Sequence, residues 1–456
     1  MSRLLRVARV LAVNVVLLVA LCELVAVAWY FGQRHELFYL RDEALTRGAP
    51  SKAPSLTDFR VSPYFGFLRA PGIAVSDFVD PDRLARMASP SARATWADLR
   101  TNNYGFVSRH DYPFAVDSEG SFVIAVVGGS VAQWFALQGE TELLARLKSS
   151  PEFRQRELVV MNLGAGGYKQ PQQLLVLAYF LALRQRIDYV VNIDGFNEIA
   201  LARLNFASGV SSAMPSVQHM APLARIAGAA GQDGDLERLA ELHRVKRTLA
   251  KVAADKQRSV LAVGFLAREF QERLLNRRYD ELVRSLAEVR SESSLVVLTP
   301  APVRPEADPD GEAVELWEQS SCLIRDTLGA RGIGYLHVVQ PNQYFSRRKF
   351  GADEAKIALN LDSPYRKAIE TGYPKLLERI PALRAHGVRV LDATSLFDEA
   401  KEPVYSDDCC HYNQRGNDRL AQAIAEAMLS DGRSAEPAQS SGSCMGSRVP
   451  AARASR

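Results

Sequence analysis

Apolar residues follow three regimes along this chain. Residues 10–31 form a nearly continuous apolar run, interrupted by Asn14, Glu23 and small residues. That length matches the roughly 20 residues a helix needs to cross a bilayer. From 32 to about 115 the prolines at 54, 63, 71, 81 and 90 replace periodicity, which predicts an irregular membrane-proximal extension packed against something larger. From Ser121 onward, short apolar runs alternate with helical stretches, the pattern of βαβ units around a parallel sheet. Strands are expected at 122–127, 158–163, 189–193, 334–339 and 388–391. Helices are expected at about 131–147, 172–186, 312–328 and 417–429. A mostly helical insertion fills 200–296 and reaches about 320, with Arg, Glu and Leu at helical spacing over 236–254 and 265–289. Residues 294–299 read either as a further strand or as a loop. The predicted organisation is an anchor at 1–31, an extension at 32–115, an α/β domain at 116–430 and a disordered tail at 431–456, rich in Ser, Ala, Gly and Pro.

Composition narrows the class. Of 456 residues, 47% are hydrophobic and 24% charged, and the mean hydropathy is −0.11. These values exclude a polytopic membrane protein, a collagen-like repeat and wholesale disorder. The formal net charge of +4 resides at the ends. Arg3, Arg6 and Arg9 supply three units, and Arg433, Arg448, Arg453 and Arg456 outweigh Asp431 and Glu436 by two. The remainder is slightly acidic and carries no basic stripe, so a nucleic-acid partner is not expected.

Arg3, Arg6 and Arg9 precede the apolar run, whereas Arg34 and Arg41 beyond it are accompanied by Glu36, Asp42 and Glu43. Arginine bias therefore places the N-terminus in the cytoplasm and the rest of the chain outside, as in a single-pass periplasmic protein. A cleaved signal peptide is the competing reading, because Ala26-Val27-Ala28 fits a small-residue cleavage pattern. The run continues through Trp29, Tyr30 and Phe31, which suit a membrane interface and favour an uncleaved anchor. Leu21-Cys22 lacks the small residue that lipoprotein processing requires before cysteine. Glu23, inside the span, would pair with a partner helix or sit near the outer interface.

Five cysteines are present. An oxidising compartment permits one disulfide, between Cys322 and either Cys409 or Cys410; a vicinal bond between Cys409 and Cys410 would be strained. The run Cys409-Cys410-His411 lacks a C-x-x-C or a second histidine at ligand spacing, so no metal is expected. No cofactor is expected either.

Open parallel sheets place ligands beyond the carboxyl ends of their strands, and three consecutive predicted strands end in reactive residues. The first runs into Gly128-Gly129-Ser130-Val131, a sharp turn that would expose a hydroxyl and a free N–H at a helix start. The second ends in Asn162-Leu163-Gly164-Ala165-Gly166-Gly167, whose bare backbone admits an anion. The third ends in Asp194-Gly195-Phe196-Asn197-Glu198, presenting an amide. Asp408 and His411, three residues apart, precede the last helix. Singly each has a structural explanation: Ser130 as a helix cap, Asn197 as a turn residue, the Gly164 loop as a degenerate dinucleotide fingerprint lacking its closing glycine. Asp392 reads as a loop or cap residue, and the other six histidines have no comparable partner pattern.

The ordered set resembles the SGNH or GDSL hydrolase superfamily over about residues 120–430. The serine block corresponds to Gly128-Gly129-Ser130-Val131 and the glycine block to the Asn162–Gly167 loop. The asparagine block is Gly195-Phe196-Asn197-Glu198, and the histidine block is Asp408 to His411 followed by Asn413 and Gly416. Gly129 departs from the pattern, standing where the family name has aspartate. Tyr104-Gly105-Phe106 and Gln340-Pro341-Asn342-Gln343-Tyr344 also look like segments of membrane-anchored members linked to surface polysaccharides.

The resemblance implies a three-layer α/β/α, flavodoxin-like parallel sheet with a helical insertion. It implies Ser130 as nucleophile, His411 as general base and acid, and Asp408 orienting the imidazole. The oxyanion would be held by the N–H groups of Ser130 and Gly167 and the amide of Asn197. Gln340, Asn342 and Tyr344 end a strand on the same face and either line the substrate cleft or close a loop. Three functions compete: hydrolysis of an acyl ester, most simply acetyl, on an extracytoplasmic glycan; transfer of that acyl group to a sugar hydroxyl through the same acyl-serine; and non-catalytic binding or assembly alongside membrane polysaccharide-synthesis partners. Retention of all four blocks argues against the third.

Overall fold

The computed structural model describes residues 3–34, 37–40, 59–79, 81–88, 96, 98–116, 120–221, 223, 258–287, 299, 301, 308–360, 363 and 365–430, together with most of 241–256. The expected tail at 431–456 and all but the last residue of the segment 294–299 lie outside these. The chain divides into two compact units. One comprises Met1–Ser55, Asp80–Asp82 and Ala224–Val296; the other comprises Leu56–Val79, Arg83–Leu223 and Val297–Arg456.

In the first unit, helix α1 (Arg3–Arg34) contains a 24-residue apolar segment, Arg9–Gly32, long and apolar enough to cross a membrane. Many of its apolar side chains, among them Leu17, Leu24 and Trp29, are exposed, while Ala26 and Tyr30 are buried. Glu23 bonds within its own unit. Its carboxylate accepts the N–H groups of Ala262 (2.5 Å) and Val263 (3.0 Å) at the start of an insertion helix, and the Tyr39 hydroxyl at 2.5 Å. An acidic side chain thus satisfies two of the orphan donors at a helix N-terminus. Tyr30, Phe38 and Phe265 stack edge to face around the same contact.

The second unit is built on five parallel strands, labelled here with the short hairpin β1 (Phe59–Ser62) and β2 (Gly66–Arg69) that precedes them. They are β3 (Ser121–Gly128), β4 (Glu157–Gly164), β5 (Tyr189–Asp194), β6 (Gly334–Val339) and β7 (Val390–Asp392), in the order β4-β3-β5-β6-β7. The interior strand β3 is buried along its whole length. Its unbroken run Phe122 to Val127 is what a strand covered on both faces requires. Register pairs Gly128 with Gly164 on one side and with Ile193 on the other, so the carboxyl ends of β3, β4 and β5 lie side by side.

The helices deviate from expectation in instructive ways. In place of one helix at 131–147 the chain forms α2 (Ser130–Gln138) and α3 (Glu140–Lys148), broken at Gly139. A Cβ there would come within 2.7 Å of the Phe135 ring. Then follow α4 (Gln172–Ala182), ending near Arg184 with its φ of 60°, and α5 (Phe196–Ala207). In the insertion, α6 (Ala262–Ala287) belongs to the first unit. Next come α7 (Pro309–Gly329), α8 (Ala352–Ala358), α9 (Arg366–Ala385) and α10 (Gln414–Leu429). Helix α9 is absent from the sequence expectation because Pro374 and Pro381 sit inside it, and proline normally interrupts a helix. Helices α2, α3 and α10 pack on one another, and α5, α7 and α9 form a second group. Val75, Met87, Trp96, Leu99 and Val107 share a core with Trp134 of α2.

Candidate active site

Ser130 is the first residue of α2, directly after β3. The turn depends on glycine. Gly128 adopts φ +144°, and a Cβ on it would lie 2.2 Å from the Ile193 carbonyl oxygen. A Cβ on Gly129 would lie 2.1 Å from the Nδ2 of Asn197 and 3.0 Å from the Tyr168 carbonyl oxygen. Position 129 is therefore one where this site leaves no room for a side chain.

The His411 ring bridges two partners. Its Nε2 is 2.7 Å from the Oγ of Ser130, and its Nδ1 is 2.6 Å from Oδ2 of Asp407. The orienting carboxylate is thus Asp407 and not Asp408, a correction with a clear local cause. Oδ1 of Asp407 accepts the N–H groups of Cys409 (3.0 Å), Cys410 (3.2 Å) and His411 (3.2 Å), curling the loop so that Oδ2 meets the imidazole. Asp408, one residue on, is exposed and accepts from Asn360 Nδ2 at 3.0 Å. Two adjacent aspartates precede the histidine, and spacing alone does not choose between them.

Burial by itself would raise the Asp407 carboxyl. The charge and hydrogen bond of His411, followed by the charge of Arg83, outweigh it and hold the group well below the usual carboxylate range. Arg83, from the short helix Pro81–Met87, lies 3.1 Å from Oδ2 of Asp407 and 2.9 Å from Nδ1 of His411. Nothing in the sequence pattern marks it; it reaches the site from the irregular extension.

Asn197 is the second residue of α5. Its Nδ2 donates to the Tyr168 carbonyl at 2.7 Å, which leaves the amide's other proton for a ligand. Glu198, next in the chain, ties two elements together. It accepts from the N–H of Gly195 (2.7 Å), the N–H of Gln170 (3.1 Å) and Gln173 Nε2 (2.9 Å). Burial, with Asp194 nearby, pushes its carboxyl up to about 8. The glycine loop after β4 is equally constrained. A Cβ on Gly164 would lie 2.4 Å from the backbone nitrogen of Gln133, whereas a Cβ on Gly166 would reach only Ser130 Cβ, at 4.0 Å. Gly167 adopts φ +82°, and a Cβ on it would come within 2.2 Å of the His219 ring. His219 stacks on Phe67 at 4.8 Å with an interplanar angle of 2°. Burial, aided by Arg69, pushes its pKa down to about 4, so it braces the loop as a neutral ring. Nothing in the surrounding sequence distinguishes it.

Gln340 and Asn342 are buried and Tyr344 half-buried. The segment braces the histidine loop. Asn342 Nδ2 donates to the Cys409 carbonyl (3.4 Å), Gln343 Nε2 to that of Asp407 (3.3 Å) and the Tyr344 hydroxyl to that of Asp408 (2.6 Å). For Asn342 and Tyr344 these contacts are those of a loop closure; Gln340 makes none of them.

No disulfide joins the described cysteines: Cys322, Cys409 and Cys410 are free thiols. Cys322 is buried within α7. The Sγ atoms of Cys409 and Cys410 are 3.4 Å apart and unbonded.

No family model and no curated protein matches the sequence. Among solved structures, the chain is similar to LAE5, described as an alpha/beta hydrolase enzyme from the metagenome of Lake Arreo, Spain. The identity is 12% and the TM-score 0.32, over 68% of this chain and 95% of that one.

Proposed function

We propose that the protein is a serine-dependent acyl ester hydrolase of SGNH type, with an O-acetyl group on an extracytoplasmic glycan as its substrate class. The observation that carries this reading is the continuous relay from Ser130 Oγ through His411 to Asp407, set beside the Asn197 amide. In such a relay the imidazole takes the serine proton as Oγ attacks the ester carbonyl and returns it to the leaving alcohol. Asp407 holds the tautomer and stabilises the imidazolium. The oxyanion would be met by the N–H groups of Ser130 and Gly167 and by the free proton of Asn197. Water then releases the acyl group from Ser130. A superfamily-type three-layer domain outside the membrane, tethered by α1, belongs to the same reading.

Turnover of p-nitrophenyl acetate and labelling by a fluorophosphonate test it, using the detergent-solubilised full chain beside Ser130→Ala and His411→Ala. Both signals confined to wild type support it. A folded wild type showing neither would remove simple esterase action. Acetylation of an oligosaccharide from an acyl donor would instead favour the transferase that uses the same acyl-serine.

A further inference from the structure

The vicinal thiols beside the relay are used by no step of the reaction above. Sγ of Cys409 lies 3.4 Å from Sγ of Cys410, and Sγ of Cys410 lies 3.9 Å from Nε2 of His411. These three atoms all fall within 4.8 Å of one another. A tetrahedral d¹⁰ ion with metal–sulfur bonds of about 2.3 Å and metal–nitrogen bonds of about 2.0 Å needs its ligand atoms about 3.5–3.8 Å apart, so the thiol–thiol and thiol–imidazole separations are already within about 0.4 Å and the widest pair closes by about 1 Å. The outer shell is already built. Nδ1 of His411 faces the Asp407 carboxylate at 2.6 Å, the carboxylate–histidine arrangement that orients an imidazole toward a metal and raises its basicity. Cys409 is partly exposed and offers the entry side; Cys410 is buried.

We propose that Cys409, Cys410 and His411 form an inhibitory binding site for a thiophilic d¹⁰ cation such as Zn²⁺. Two thiols release their protons to solvent and become thiolate ligands. The Nε2 lone pair that would accept the Ser130 proton is donated to the ion instead. Occupancy and catalysis are therefore mutually exclusive at one nitrogen atom, and the fourth coordination position stays open. The inhibitory half rests on the hydrolase reading; the binding half does not.

The test uses the detergent-solubilised full chain with Zn²⁺ and Co²⁺ as probes. Co²⁺ should give a thiolate-to-metal charge-transfer band in the near ultraviolet, absent from Cys409→Ser and from Cys410→Ser. Zn²⁺ should protect Cys409 of the wild type from alkylation, a readout that needs no variant to fold. In p-nitrophenyl acetate turnover, Zn²⁺ should inhibit wild type and require at least about tenfold higher concentration against Cys409→Ser. Lack of the Co²⁺ band together with unprotected Cys409 overturns the site. Equal Zn²⁺ sensitivity of wild type and Cys409→Ser overturns thiol involvement in the inhibition. Should the metal-free enzyme show no turnover, the band and the protection still decide the site, and the hydrolase reading alone falls.

Discussion

Nε2 of His411 and Oγ of Ser130 meet at 2.7 Å across 281 positions of chain. The sheet explains the meeting. Ser130 follows the interior strand β3, and the histidine loop is braced by the segment leaving the next-but-one strand, β6, through the Asp407–Cys409 carbonyls. The two side chains are thus positioned by backbone contacts, and under the proposed mechanism their chemistry would depend on which carboxylate faces Nδ1.

That dependence separates two adjacent aspartates. Asp407→Asn should lower kcat for p-nitrophenyl acetate by about 10⁴-fold, as expected when an orienting carboxylate is lost and the wrong tautomer results. Asp408→Asn, altering an exposed group bonded to Asn360, should stay within about threefold of wild type. Equal losses in the two variants would assign the relay incorrectly.

Gly129 and Asn197 should be coupled. The Cβ of Gly129→Ala would strike the Asn197 amide at 2.1 Å and displace it, so kcat should fall by about 10²- to 10³-fold, the usual loss of one oxyanion donor. In an Asn197→Ala background the main collision partner is gone and only the 3.0 Å approach to the Tyr168 carbonyl remains, so adding Gly129→Ala should cost less than it does in wild type. A double-mutant cycle measures this; full additivity would mean that the glycine acts on something other than the amide.

Much of this arrangement was legible in the sequence, and the exceptions have physical reasons. Buried strands advertise themselves, so β3 to β6 fall within a residue or so of expectation. The short β7 starts two residues late because Val388, though buried, lies in the turn after α9. Ser130, Asn197 and His411 stand at element ends, where glycine and cap residues give local signals. Asp407 was hidden because its selection depends on three backbone N–H bonds within a loop, a tertiary detail that spacing cannot encode. Arg83 and His219 were hidden for a different reason: each reaches the site region through the tertiary packing of a short helix outside the strand–helix pattern. The expected disulfide failed since compartment arguments speak to redox conditions and not to the distance between thiols.

Tyr344 distinguishes bracing from substrate contact. Its hydroxyl donates to the Asp408 carbonyl at 2.6 Å, and one such hydrogen bond contributes about 0.5–1.5 kcal/mol net. Tyr344→Phe should therefore lower kcat by no more than about tenfold and leave KM unchanged, through a loosened histidine loop. A rise in KM with kcat preserved would instead identify Tyr344 as part of the substrate cleft.

His219 should leave a signature in stability against pH. Its folded pKa of about 4 lies below the roughly 6.5 of an unfolded histidine. Between those values the unfolded chain binds a proton that the folded chain does not. Stability contributed by the neutral ring is then complete above about pH 6.5 and is lost as pH falls toward 4. His219→Phe retains a ring to stack on Phe67 and removes the titration. Urea unfolding monitored from pH 4 to 8 should show wild type losing more stability than the variant on the acid side, with the difference constant above about pH 7. Parallel curves across the whole range would show that His219 titrates alike in both states and that its ring is solvated.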